Sequence, residues 1–228
     1  MSLSGTPAGA GPAAAGAAHR AYLLPTAAGA WYAASLGKDE ARRELLIALL
    51  RGACGFPISL DWFAQWTGLR ERKAIASLLF ALQREGLLTG EAVPLEPPRG
   101  PASRLLGSLL EKIARGGGIV LADTAGLCVA YAGTSPDMSE LLAARVASLD
   151  PRLRRLATDG EGWSLGGNGP DPRLTVRPLH LPAHRFLLVS SPSANLAGED
   201  FVRFIGVLTR CCLGIITAPD NEEGLRHE

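Results

Sequence analysis

The sequence has 228 residues, of which 27 are Gly and 16 Pro, with 47% hydrophobic, 20% charged and 6% aromatic side chains. Lys plus Arg number 23 against 22 Asp plus Glu, a formal charge of +1. These figures suit one or two ordinary domains, give no basic surplus for bulk binding to polyanions, and leave no uncharged apolar run of about 18 residues for a membrane span.

Nineteen of the first 30 residues are Ala, Gly or Pro, and Arg20 is the only formal charge among them. Alanine buries too little surface to offset the ordering entropy of the chain, so residues 1–20 are expected to form a disordered tail. No early Lys or Arg introduces a signal-type apolar segment, and a cytoplasmic location is expected. The segment Tyr22–Ser35 differs, because Tyr22, Leu23, Leu24, Trp31 and Tyr32 offer something to bury. It is expected to dock as an extended strand on the unit that follows.

Three helical patterns come next. Residues 39–51 open on acids and carry Leu45, Leu46, Leu49 and Leu50 as an apolar stripe. Ser59 is a candidate N-cap for a helix holding Leu60, Trp62, Phe63 and Trp66, and the turn Thr67-Gly68 follows it. Residues 70–85 repeat Ile75, Leu78, Leu79 and Leu82 at helical spacing, with Gly86 to stop the helix. A short hairpin is expected over residues 87–93. Helix, helix–turn–helix, then Gly-Leu-Leu over residues 36–96 resembles a winged helix-turn-helix, which implies DNA binding; with the N-terminal extended segment the unit is expected to span residues 21–96. Charge argues otherwise. Between residues 36 and 96, eight bases (Lys38, Arg42, Arg43, Arg51, Arg70, Arg72, Lys73, Arg84) meet eight acids (Asp39, Glu40, Glu44, Asp61, Glu71, Glu85, Glu91, Glu96). A DNA reader carries a surplus. Arg70, Arg72 and Lys73 are the candidate DNA or partner contacts, and a protein-contact role outranks nucleic acid.

Residues 94–102 hold four prolines and form a semi-rigid linker, with its core at 97–102. Beyond it, residues 103–115 place Leu105, Leu106, Leu109, Leu110 and Ile113 on one helical face, and Gly116-Gly117-Gly118 ends that helix. Strands are expected at 119–122 and 127–132 around the turn Asp123-Thr124-Ala125-Gly126, where Asp123 is expected to bond the turn backbone. A helix over 137–149 carries Met138, Leu141, Leu142, Val146 and Leu149. Strands follow at 163–165, 174–181 and 185–190, then a helix over 199–213 and a tail over 218–228. In the strand 174–181 the apolar phase changes across Pro178, which predicts a bulge or an edge position. Residues 119–122 and 186–189 are apolar throughout, so these strands should lie together at the sheet centre with helices on both faces.

The stretch LLGSLLEKIARGGGIVLADTAGLCVAYAG, the helix SELLAARVASL and the strand RFLLVSSP together resemble the roadblock (dynein light chain-like) family over residues 103–217. The strand–Asp-x-x-Gly-Leu–strand hairpin before an Ala/Leu-rich helix carries the likeness. The resemblance implies an α+β chain in which a profilin-like roadblock unit, a five-stranded antiparallel sheet with helices on both faces, follows the winged helix-like unit. It also implies homodimerisation and service to small Ras-like GTPases, as in bacterial members that act in motility and polarity. Met138, Leu141, Leu142, Arg145, Val146, Leu149 and Trp163 are the expected dimer or partner interface.

Chemistry is sparse. Gly116–Gly118 lacks the Lys-Ser/Thr ending of a phosphate loop. His180 and His184 are separated by Pro182, which breaks a shared helical face. Residues 159–171 are too poor in acids for a cation loop. The cluster Arg152, Arg154 and Arg155 is read as a solvated face. Cys54, Cys128, Cys211 and Cys212 lack metal or redox spacing and are expected to be reduced core thiols. No catalytic, cofactor or metal residues are assigned. The expected function is a non-enzymatic dimeric scaffold or regulator of a small GTPase. The alternative is a DNA-binding regulator that uses the winged helix and dimerises through the roadblock-like unit.

Overall fold

The structure, a computed structural model, describes residues 22–36, 39–52, 59–153, 163–165 and 173–214. The expectations for residues 1–20, Cys54, the loop 159–171 apart from Trp163–Leu165, the side chains of Arg152, Arg154 and Arg155, and the tail 218–228 fall outside the described residues.

The N-terminal half runs β1 (Tyr22–Pro25), α1 (Ala27–Ala33), α2 (Glu40–Leu50), α3 (Leu60–Thr67), α4 (Arg72–Arg84) and β2 (Leu88–Glu91). The helix boundaries follow local chemistry. Asp39 caps α2 by accepting from the Arg42 N–H, and Gly68 stops α3 in the left-handed region at φ 71°. The expected hairpin at 87–93 does not form. β2 instead runs straight through Gly90 and pairs antiparallel with β1, Tyr22 opposite Glu91 and Pro25 opposite Leu88. The reason is the partner on offer: β1 supplies a four-residue ladder and buries Leu23 beside Leu88, whereas a folded-back Ala92-Val93 arm leaves Val93 little to pack on. The segment Tyr22–Ser35 is therefore a strand only to Pro25. At Thr26 it turns into α1, the Thr26 hydroxyl capping Gly29 and donating to the Gly86 carbonyl.

The C-terminal half runs α5 (Ala102–Ala114), β3 (Ile119–Asp123), β4 (Cys128–Ala132), α6 (Pro136–Leu153), β5 (Trp163–Leu165), β6 (Leu174–Leu181), β7 (His184–Ser190) and α7 (Glu199–Leu213). The sheet order is β4-β3-β7-β6-β5, with every pairing antiparallel. The two fully apolar strands β3 and β7 are central neighbours, as their composition predicts. Alternation assigns their faces. Ile119, Leu121 and Leu188 pack under α5 and α7, while Val120, Ala122, Leu187 and Val189 pack under α6.

The irregularity at Pro178 resolves differently from a bulge. The β6–β7 register is unbroken from Thr175 to Leu181, so no residue is inserted. Leu174 and Val176 face α6, whereas Leu179 and Leu181 face the opposite core; the apolar chemistry changes face while the backbone keeps its phase. β5 covers β6 only as far as Val176, so the rest of β6 is an edge. His180 N–H points outward there to the Ala34 carbonyl at 2.6 Å. Pro178, two residues earlier, has its nitrogen on that same side, where the absent donor breaks no ladder bond.

The two halves share one continuous apolar core that includes Leu46, Leu50, Phe63, Ile75, Leu110, Phe201 and Phe204. α1 and α2 lie against α7. Trp31 stacks on Phe201 with centroids 4.5 Å apart, and its indole N–H donates to the Leu196 carbonyl at 3.2 Å. Arginines fasten the seam to carbonyl oxygens: Arg43 to His180 at 2.7 Å, Arg51 to Leu213 at 2.7 Å, and Arg210 to Leu50 at 3.3 Å. A charged donor to a neutral carbonyl satisfies the helix ends that meet at this junction. No described helix is long and apolar enough to cross a membrane.

Candidate interaction surface

The hairpin between β3 and β4 packs against the middle of α6. Asp123 accepts from the Ala125 N–H at 2.9 Å and the Leu127 N–H at 2.8 Å, so it shapes the turn as its place in the sequence predicts. Gly126, at φ 91°, brings the turn to within 3.3 Å of the Ala144 backbone, measured from where a Cβ would stand. A side chain there would push the turn off α6. At the start of α6, Ser135 accepts from the Met138 N–H and from the Ser139 hydroxyl through its carbonyl, fixing the first turn.

α6 is the one described helix on its side of the sheet, and it has two unlike stripes. The inner stripe seals the sheet: Ala143 and Val146 are buried, Leu142 packs beside them, and Leu149 is half-buried. The outer stripe has Met138 at 47% exposure and Leu141 at 60%, followed by exposed Arg145. The seven residues expected to form an interface are thus divided. Met138, Leu141 and Arg145 face outward, whereas Val146, with Leu142 and Leu149 at its flanks, serves the fold. Trp163, on the three-residue edge strand β5, is half-buried against the same small core and lies opposite Val176. It therefore belongs to the edge rather than the helix stripe.

The structure adds residues to this face. Tyr131 of β4 lies opposite Val120, hence on the α6 side, and is 39% exposed; Val129 and Leu127 are exposed close by in the chain. The alternation in Cys128–Ala132 already holds this signal, because its large residues are out of phase with the small ones that pack inward. A register shift between Leu121 and Ala122 marks a bulge at this end of β4. Exposed apolar side chains gathered on one helix and the adjoining strand mark an interaction site.

A second surface lies on α4. Arg70, Arg72 and Lys73 are all exposed at its N-terminal end. The helix contains Arg72, Lys73 and Arg84 and no acid, while Glu85 just beyond it is held by Arg42 at 2.6 Å. Phe80 stands at 66% exposure in the middle of the face. It lines a shallow depression of about 460 Å³ with Lys73, Ala76, Ser77, Ala81 and Arg84.

The described thiols are poorly suited to nucleophilic work. Burial, and next the Glu140 carboxylate, pushes the Cys128 thiol above its ordinary value. Burial also raises Cys212 and Cys211, although Cys211 is exposed on α7 and so is not the core thiol expected. All three are therefore protonated at neutral pH, and the thiolate is the reactive form. No cluster of three or more His, Cys, Asp or Glu suited to a metal ion occurs among the described residues.

No protein-family model matches the chain, and no curated protein matches it. Solved structures similar to its fold include a Roadblock/LC7 domain from Streptomyces avermitilis, at 15% identity over 48% of this chain and 94% of that one, with a TM-score of 0.35. Another is MglB of Myxococcus xanthus, at 13% identity over 54% of this chain and 98% of that one, with a TM-score of 0.37. A third is the gliding protein MglB from Thermus thermophilus, at 20% identity over 51% of this chain and 96% of that one, with a TM-score of 0.35.

Proposed function

We propose that the chain is a non-enzymatic, dimeric scaffold or regulator of a small Ras-like GTPase, working through its C-terminal roadblock-like half. The observation that carries the dimer is the double stripe of α6: its inner side completes the fold, and its outer side leaves Met138 and Leu141 exposed with Tyr131 on the same face. Among the described residues no strand pairs with the outer side of β5, which lies across the sheet from β4 and supplies backbone groups for a second sheet. A two-fold axis close to α6 and β5 would pair like with like and close the assembly. The GTPase partner rests on the resemblance of the Asp123–Leu127 hairpin and the Ala/Leu-rich helix to roadblock proteins. The nucleotide then belongs to that partner.

The winged helix-like half serves a second protein contact through α4. Its exposed Phe80 and its lack of net charge favour this over DNA. The test is affinity capture by the immobilised full chain from native-cell lysate, with a non-hydrolysable GTP analogue in one arm and GDP in the other. Mass spectrometry is expected to identify a single small GTPase retained in one nucleotide state only. Retention of no GTPase, or tight GTP binding by the purified chain alone, contradicts the reading.

A further inference from the structure

Where the N-terminal segment crosses β6, the two halves leave a cavity of about 470 Å³, a volume suited to a small ligand. Trp31 of α1 forms one wall. Thr175 and Arg177 of β6 form the floor, and Ser190, Ser191 and Asn195 stand at the β7–α7 connection. Alternation along β6 puts Thr175 and Arg177 on the α5/α7 side of the sheet, where Leu179, Leu181 and Leu188 are all buried and apolar. Two polar residues on a face that is otherwise a core require an explanation.

Arg177 is the informative one. Its guanidinium carbon sits 5.1 Å from the centre of the Trp31 ring, whose other neighbour is the stacked Phe201. The indole is thus held in place and holds the guanidinium in turn. Arg177 Nε is buried with no hydrogen-bond partner, and no carboxylate pairs with this side chain among the described residues. A half-buried guanidinium with no carboxylate beside it keeps its charge available to an anion that reaches it. Its planar fork matches the two oxygens of a carboxylate or a phosphate, and Thr175 and Asn195, which carry hydrogen-bonding side chains, line the same cavity.

We infer that this junction cavity binds a small organic oxyanion, a carboxylate or phosphate monoester, with Arg177 as its anchor. Because Trp31 belongs to the N-terminal segment and Arg177 to the sheet, an occupant also fastens the two halves together.

The test follows the Arg Nε–H signals of the ¹⁵N-labelled full chain by NMR, with the Arg177 signal assigned by its loss in Arg177→Gln. Inorganic phosphate and acetate are titrated separately, with sodium chloride holding ionic strength constant. The expected result is a saturable shift of the Arg177 signal, while exposed Arg104 stays in place. The stronger of the two anions names the chemical class. Thr175→Val, which keeps the charge and the shape, is expected to weaken binding about threefold, and Arg177→Gln at least tenfold, read from the backbone amides of Thr175 and Asn195. Shifts that are absent, that do not saturate, or that are matched at Arg104 reduce Arg177 to a packing residue and overturn the proposal. The Thr175→Val arm decides the matter even if Arg177→Gln fails to fold.

Discussion

At the scale of single residues, the most informative positions are those where local preference and long-range contact disagree. Gly29 lies inside α1, where alanine would ordinarily be favoured by up to about 1 kcal/mol. A Cβ at Gly29 would collide with the Leu87 carbonyl, to which the neighbouring Thr26 N–H is also bonded. Gly29→Ala is therefore expected to destabilise the protein by about 1–3 kcal/mol, visible as a lowered urea midpoint with unchanged slope. An increase in stability would show that α1 does not pack on the turn after α4. Asp123 is the opposite case: its role was legible because an Asp at the first position of a turn bonds backbone groups two and four residues on. Arg177 was not legible. An arginine in a strand next to proline reads as a solvated edge, and only Trp31, far away in sequence, shows that it is covered.

Secondary-structure elements were legible where one periodicity persisted. The amphipathic helices and the paired apolar strands β3 and β7 follow from spacing alone, because each buries one face or both. The hairpin expected at 87–93 failed since a short strand has no means of naming its partner. Leu88-Thr89-Gly90 is compatible with folding back or with a distant strand, and β1 offered the larger apolar return. α6 shows the same limit in another form. Its spacing marks Met138, Leu141, Leu142, Val146 and Leu149 as apolar but cannot divide the inward from the outward ones; the sheet does that. The division predicts opposite phenotypes. Leu141→Arg should change stability by no more than about 0.5 kcal/mol, yet separate the subunits. Val146→Ala should cost about 2 kcal/mol and leave the oligomeric state unchanged at temperatures below its lowered midpoint. Chemical denaturation and light scattering on both variants check the pair. Equal effects on stability would mean that α6 has no free stripe.

For the molecule as a whole, the Pro-rich stretch 94–102 suggests two units on a spacer, and the residues on either side of it contribute to one apolar core. Trp31, Arg43 and Arg51 on one side and Phe201, His180 and Leu213 on the other have no local sequence signature, since their pairing spans well over a hundred residues. Unfolding is expected to be a single transition in which probes of both halves coincide. Trp31→Ala, which removes a half-buried ring, its hydrogen bond and the seat of Arg177, should cost about 3 kcal/mol and lower the midpoints of both halves together. Separate transitions reported by Trp62 and Trp66 in the N-terminal half and by Trp163 in the C-terminal half would show the junction to be weak.

In the proposed dimer the α6 face and the β5 edge meet a second copy, since the opposite side of the sheet has α7 covered by α1 and α2. The claim is tested most directly by the mass in solution of the full chain at micromolar concentration, measured by light scattering beside Leu141→Arg. The expected masses are two chains for the native protein and one for a folded Leu141→Arg variant. A native protein with the mass of a single chain, or a variant that remains fully dimeric, would contradict the account.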